Sequence, residues 1–133
     1  MSKYRKSAVA GMFYPDTCSD IKHYIAHFES QMQVLTLDVI PRALIVPHAG
    51  YIYSGYTACL AYYYAALQCK NIKRVVVIGP SHRVYIEGAS VALYEQYHTP
   101  CGELNIDLAF CHTLQHSFPF LGFLVKTELL GHP

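Results

Sequence analysis

Ala43-Leu44-Ile45-Val46-Pro47-His48 and Val75-Val76-Val77-Ile78-Gly79-Pro80-Ser81-His82 share one build: an apolar run, a proline-marked turn and a histidine. An apolar run of four, stopped by a turn residue, reads as a strand buried on both faces of a parallel sheet. The reading predicts strands over 39–46 and 74–78, with Pro41 near the start of the first. Between them, Ser54 can cap a helix over 56–67 that is apolar nearly all round and so predicted to be buried between layers. Residues 70–73 form the polar connection onward. Strand, helix, strand is a βαβ unit with a right-handed crossover. Both histidines then leave the sheet at the carboxyl ends of its strands, where open α/β sheets bind ligands. The predicted fold class is therefore α/β, with a mainly parallel central sheet flanked by helices.

Outward from this unit, Pro15 disfavours helix at Tyr14, and Asp16 or Thr17 can cap a helix running to about Met32. Ile21, Tyr24, Ile25 and Phe28 fall at helical spacing on one of its faces. After His82 the sequence reads as a loop through Gly88, a strand over 89–93, a turn over 97–102 and a helix over 108–116 started by Asn105 or Asp107. Residues 117–133 show no clean period and no finishing element.

The chain has 133 residues, the size of one domain, so 1–133 is expected to be a single α/β domain. Hydrophobic residues make up 53% and charged ones 14%, a balance that folds rather than staying disordered. A net charge of +1 offers no basic footprint for nucleic acid and no polybasic patch for a membrane surface. The most apolar late stretch, 118–125, is broken by Pro119 and Gly122 and is far below the ~20 residues of a spanning helix. No long apolar segment follows the basic start Met1 to Lys6, so no signal peptide is expected. The 5 cysteines are odd in number, irregularly spaced and without C-x-x-C, which suits reduced thiols and a cytoplasmic location.

Neutral imidazole is the commonest metal ligand, so His48 and His82 are candidate ligands from two neighbouring strand ends. A third donor is required: a carboxylate would suit iron, a thiolate copper or zinc. The alternative is a pair of loop histidines hydrogen-bonded to backbone. Tyr51 and Tyr53 share the glycine-rich loop of His48 and are candidate pocket residues. Ser81 beside His82 invites a nucleophile reading, but the G-x-S-x-G elbow is absent. His112 and His116 have i, i+4 spacing without an H-E-x-x-H string, which reads as an exposed helical pair. Tyr62, Tyr63 and Tyr64 read as packing, and Glu87 and Glu103 are candidate substitute carboxylate ligands whose favoured reading is solvated loop residues. Gly79-Pro80 is too short for a phosphate loop, and Pro80 removes a donor that phosphate would need.

Four strings taken together resemble the Memo family, in its order: Ala10-Gly11-Met12-Phe13-Tyr14-Pro15, Pro47-His48-Ala49-Gly50-Tyr51-Ile52-Tyr53-Ser54-Gly55, Ile78-Gly79-Pro80-Ser81-His82 and Tyr97-His98-Thr99-Pro100-Cys101-Gly102-Glu103-Leu104. The resemblance, which includes the bacterial Memo-like proteins, runs over roughly 5–110. It implies a fold similar to class III extradiol ring-cleaving dioxygenases of the LigB type, with a metal pocket at one edge of the sheet. It also implies that His48 and His82 are metal-pocket residues, with Tyr51 and Ser81 contacting substrate or supporting the ligands. The metal would be Fe(II), as in the dioxygenase relatives, or copper, and animal members are linked to redox control and receptor signalling.

Against that pattern, residues 117–133 do not resemble the family. The E-H-S-type histidine motif and the third metal-pocket residue of its longer members are not found here. The resemblance thus implies a C-terminally truncated chain holding the N-terminal half of the family fold. The expected function is metal-dependent redox or dioxygenase-related chemistry on a small molecule. A non-catalytic binding or adaptor role and an inactive truncated member are the alternatives. An unfinished sheet edge would also promote self-association.

Overall fold

The computed structural model describes residues 3–33, 37–83, 85–91 and 94–123. The chain divides into two compact units, one of residues 9–76 and one of residues 1–8 with 77–133. Helices and short ladders are mixed in it, an α/β architecture.

In the first unit, residues 9–14 form a tight turn. Gly11 sits at φ +78, and its N–H donates to the Tyr14 carbonyl at 2.7 Å. The amides of Met12 and Phe13 both donate to the Val9 carbonyl, at 3.2 and 3.0 Å. Helix α1 (Cys18–Ser30) follows because Thr17 caps it: its hydroxyl accepts from the Asp20 N–H at 3.2 Å and donates to Asp20 Oδ2 at 2.7 Å. The predicted apolar face exists, and among the described residues Ile21 and Phe28 on it are the buried hydrophobic ones, each 9% exposed. Ile25 lies at the margin of that face, exposed to solvent.

Residues Tyr51–Gly55 wind as one turn of π-helix and run into α2 (Tyr56–Gln68). Ser54 does not cap α2; its hydroxyl instead donates to the Ala49 carbonyl at 3.1 Å, inside the turn. Gly55 lets α1 and α2 approach, since a Cβ there would meet Phe28 Cε2 at 2.7 Å. Phe28 also takes the Tyr56 ring edge-on, with centroids 6.3 Å apart. The expected burial of α2 between two layers does not hold, because no residue of the helix is buried. Helix α1 and the π turn pack against it, while Tyr62 and Leu67 stay exposed.

In the second unit, β1 (Tyr4–Arg5) pairs parallel with β3 (Gln96–Thr99), and β3 pairs antiparallel with β4 (Gly102–Asn105), giving the order β1-β3-β4. The stretch read as a plain turn is a hairpin whose two-residue tip is Pro100-Cys101, closed by Gly102 at φ +127. His98 is held from both sides: its ring stacks on Tyr4 at 4.3 Å and 8°, and its Nε2 lies 3.2 Å from Glu103 Oε1 directly across the ladder. Glu103 is therefore a cross-strand partner and not a loop carboxylate. Helix α3 (Leu108–Ser117) is capped by Asp107, whose Oδ1 accepts from the Phe110 N–H at 2.9 Å. His112 and His116 are exposed on α3 as expected, with His116 Nδ1 donating to the His112 carbonyl at 3.0 Å. A finishing element does exist: β5 (Leu121–Phe123) pairs parallel with β2 (Ala89–Val91). The last two residues of the strand expected over 89–93, and the tail beyond 123, lie outside the described residues.

The two runs predicted as central strands, 39–46 and 74–78, lie in none of the described ladders. Ile45 is 102% and Ile78 91% exposed. An apolar run records a side-chain demand for burial, whereas a strand also needs a neighbour offering backbone donors and acceptors. No described segment supplies that neighbour. Residues 37–41 are tied instead to the end of α2, where Gln68 Nε2 donates to the Leu37 carbonyl at 3.5 Å and Cys69 Sγ to the Pro41 carbonyl at 3.4 Å.

Candidate functional site

The first unit contains a cavity of about 560 Å³ between the turn of residues 11–15 and the loop after His48. Its walls include Met12, Phe13, Tyr14, Tyr24, Tyr51 and Tyr53. The turn is placed by Gly11 and by Pro15, which holds Tyr14 out of helix. Tyr24 reaches the cavity from the second turn of α1. The loop is placed by its own hydrogen bonds: the amides of Tyr53 and Ser54 both donate to the Gly50 carbonyl, at 2.9 and 3.1 Å.

Tyr51 joins the two walls. Its N–H donates to the Phe13 carbonyl at 2.8 Å. Its ring lies tilted to Tyr14 at 6.0 Å and edge-on to Tyr24 at 6.2 Å between centroids. Burial pushes the Tyr51 phenol up from its ordinary 10.0, helped by Tyr14, Cys59 and Tyr62. Across neutral pH the group is therefore a protonated hydroxyl able to donate a hydrogen bond. Burial, then the Glu29 carboxylate, likewise pushes the Cys59 thiol up, which makes it a poor nucleophile. Among the described residues no Lys, Arg, Asp or Glu lines the cavity, so its wall suits shape and apolar surface, with tyrosine phenols as the polar groups.

His48 is exposed at the entrance to this loop, three positions before Tyr51. Ser81 and His82 are exposed in the other unit, on the segment that follows the Val75–Ile78 run. The structure thus groups His48 with Tyr51, and Ser81 with His82, each pair on one stretch of chain. Tyr53 is on the cavity wall, as the glycine-rich loop suggested, though 82% exposed. The sequence reading missed the contributions of Phe13, Tyr14 and Tyr24. The signal for Tyr14 was its place before Pro15, but nothing local linked that turn to the His48 loop.

Among the described residues, no group of three or more His, Cys, Asp or Glu side chains converges to hold a metal ion. Two imidazoles without a third donor do not make a complete iron or copper centre. Among the described residues, no helix is long and apolar enough to cross a membrane.

The model of the Memo-like protein family matches residues 5–132. The chain belongs to the Memo family. Among curated relatives, a MEMO1 family protein of Thermoplasma volcanium is 34% identical over 140 residues, covering 90% of this chain and 51% of that protein. A MEMO1 family protein of Methanosarcina acetivorans is 36% identical over 129 residues, covering 96% and 43%. The zebrafish protein MEMO1 is 35% identical over 103 residues, covering 77% and 33%. The chain thus spans about half the length, or less, of these Memo-family relatives. The matched stretch holds both P-H-A-G-Y and G-P-S-H.

Proposed function

We propose that the chain binds a small, mostly apolar molecule in the phenol-lined cavity beside His48, as part of a Memo-type metal pocket to which His48 and His82 contribute imidazole. One observation carries the reading: all five residues that follow His48, Ala49 to Tyr53, line the cavity. A ligand held there lies next to a side chain whose chemistry suits metal ligation. Tyr51 would orient it through a neutral phenol, and Ser81 would support His82 or the substrate.

Fe(II) or copper, when bound, would supply redox chemistry toward oxygen and a small aromatic or thiol substrate. The described donors stop short of a full centre, so no step is routed through the metal. The family relation supports a mainly parallel LigB-type sheet, while a cytoplasmic location rests on the odd, irregularly spaced cysteines alone. Neither nucleic acid nor a membrane surface enters it.

The second reading is a non-catalytic binding or adaptor protein. Among the described residues no set of three metal donors converges, which favours it. Anaerobic titration of the purified chain with Fe(II) or Cu(I), followed by oxygen uptake with catechols, separates the readings. Stoichiometric metal with uptake supports the redox role, and stoichiometric metal without uptake supports binding alone. If His48→Ala and His82→Ala bind metal as well as the parent does, the ligand assignment is wrong.

A further inference from the structure

Five of the eleven residues lining the cavity of the first unit are aromatic: Phe13, Tyr14, Tyr24, Tyr51 and Tyr53. Tyr14, Tyr24 and Tyr51 are half-buried. The Tyr51 ring is inclined at 43° to Tyr14 and at 74° to Tyr24, with centroids 6.0 and 6.2 Å away. Neither contact is a stack. Rings inclined in this way set π faces on more than one side of a small space, and each face carries the negative part of the ring quadrupole. Among the described residues no lysine or arginine lines the cavity to repel a cation. The Asp16 carboxylate lies beside the lining residue Gly11, where a Cβ would be 3.8 Å from Asp16 Oδ2. The wall is thus apolar in composition and electron-rich in potential.

Resting on the reading of this cavity as a small-molecule site, we infer that it is an aromatic cage for a methylated ammonium cation, a quaternary amine of the choline kind. Three classes of ligand compete for such a wall. A primary ammonium brings three N–H donors that need acceptors, and among the described residues no carboxylate lines the cavity to take them. A neutral apolar molecule gains burial but nothing from the ring quadrupoles. A trimethylammonium group has no N–H to satisfy. Its charge is spread over methyl groups that can pack on the rings and on Met12, and it is attracted to each ring face within about 6 Å. Burial keeps the Tyr51 phenol protonated, so the attraction comes from the rings and not from a phenolate. A cavity of about 560 Å³ admits this head group with a further substituent attached.

Isothermal titration calorimetry of the full chain at neutral pH is expected to show saturable one-to-one binding of choline, with a Kd of about 1 mM. Dimethylbutanol, in which carbon replaces the charged nitrogen, is expected to bind at least ~10-fold more weakly, and so is ethanolamine, which restores the N–H donors. Tyr24→Leu and Tyr53→Leu each weaken choline about 5-fold and leave dimethylbutanol within about 2-fold, because leucine keeps apolar bulk and loses the π face. Tyr24→Phe and Tyr53→Phe keep the parent's affinity, because the ring remains. Tyr53 is 82% exposed, so its replacement leaves the fold intact, and circular dichroism checks the helix content of all four variants. Dimethylbutanol or ethanolamine binding as tightly as choline overturns the cage, as does an equal loss of choline and dimethylbutanol in the leucine variants or a loss of choline in the phenylalanine ones. Binding of a catechol without binding of choline overturns the cage alone and leaves the small-molecule cavity standing. Binding of none of these probes overturns both.

Discussion

The Tyr51 N–H and the Phe13 carbonyl meet at 2.8 Å, and this bond fastens the turn of residues 11–15 to the loop of His48. Gly50 makes the approach feasible. A Cβ there would lie 3.2 Å from the same carbonyl oxygen. Gly50→Ala is therefore expected to push the two walls apart by a few tenths of an ångström and to cost about 1 kcal/mol, at the low end of overpacking penalties. Urea melts report the stability loss. Tyrosine emission, which no tryptophan obscures in this chain, reports weaker binding of a catechol probe.

Gly55→Ala sets two effects against each other. Alanine favours helix over glycine by about 1 kcal/mol. The new methyl, however, would meet Phe28 at 2.7 and 2.9 Å, and that ring belongs to the small buried core. Overpacking of this kind costs about 1–3 kcal/mol, so net destabilisation by about 1 kcal/mol is expected. A midpoint in urea equal to or above the parent's contradicts the described α1–α2 contact.

Removing a cap tests the local origin of the helices. Thr17→Ala strips α1 of the hydroxyl that accepts from Asp20 N–H, and Asp107→Ala strips α3 of the carboxylate that accepts from Phe110 N–H. Each is expected to cost about 1 kcal/mol. Hydrogen exchange should localise the loss to the first turn of the helix concerned, and a loss spread evenly over both helices would refute the capping assignment.

Alkaline pH should weaken the first unit in two stages. Cys59 and Tyr51 both hold their protons more tightly when folded than at their ordinary values of 9.0 and 10.0. Above those values the unfolded chain has lost protons that the folded chain keeps, so stability falls as pH rises. It is fully present at neutral pH. Cys59→Ser is expected to remove the onset near pH 9, and Tyr51→Phe the stage above pH 10, in melts recorded from pH 7 to 11.

What the sequence made legible was local. Thr17, Asp107, Gly102 and the Ile21–Phe28 spacing act through neighbours a few residues away, so the helices stand within two residues of where they were expected. The runs at Leu44 and Val76 were harder, because strand formation depends on a partner that no local pattern names. Glu103 was misplaced for the same reason: its role is set by His98 across the hairpin. At the cavity, the His48 loop announced itself through its glycines and tyrosines. The opposite wall, Phe13 and Tyr14, is joined to it only by the long-range bond to Tyr51.

The pairing of β1 with β3 has a consequence for biosynthesis. Ser7 donates to the carbonyl of His98, a partner 91 residues further along the chain. Drawing such distant ends together costs about 4 kcal/mol in closure entropy. On the ribosome, Tyr4 waits undocked until the hairpin has been made, while α1 and α2 need nothing beyond residue 68 to meet. The nascent chain therefore assembles its middle before its beginning.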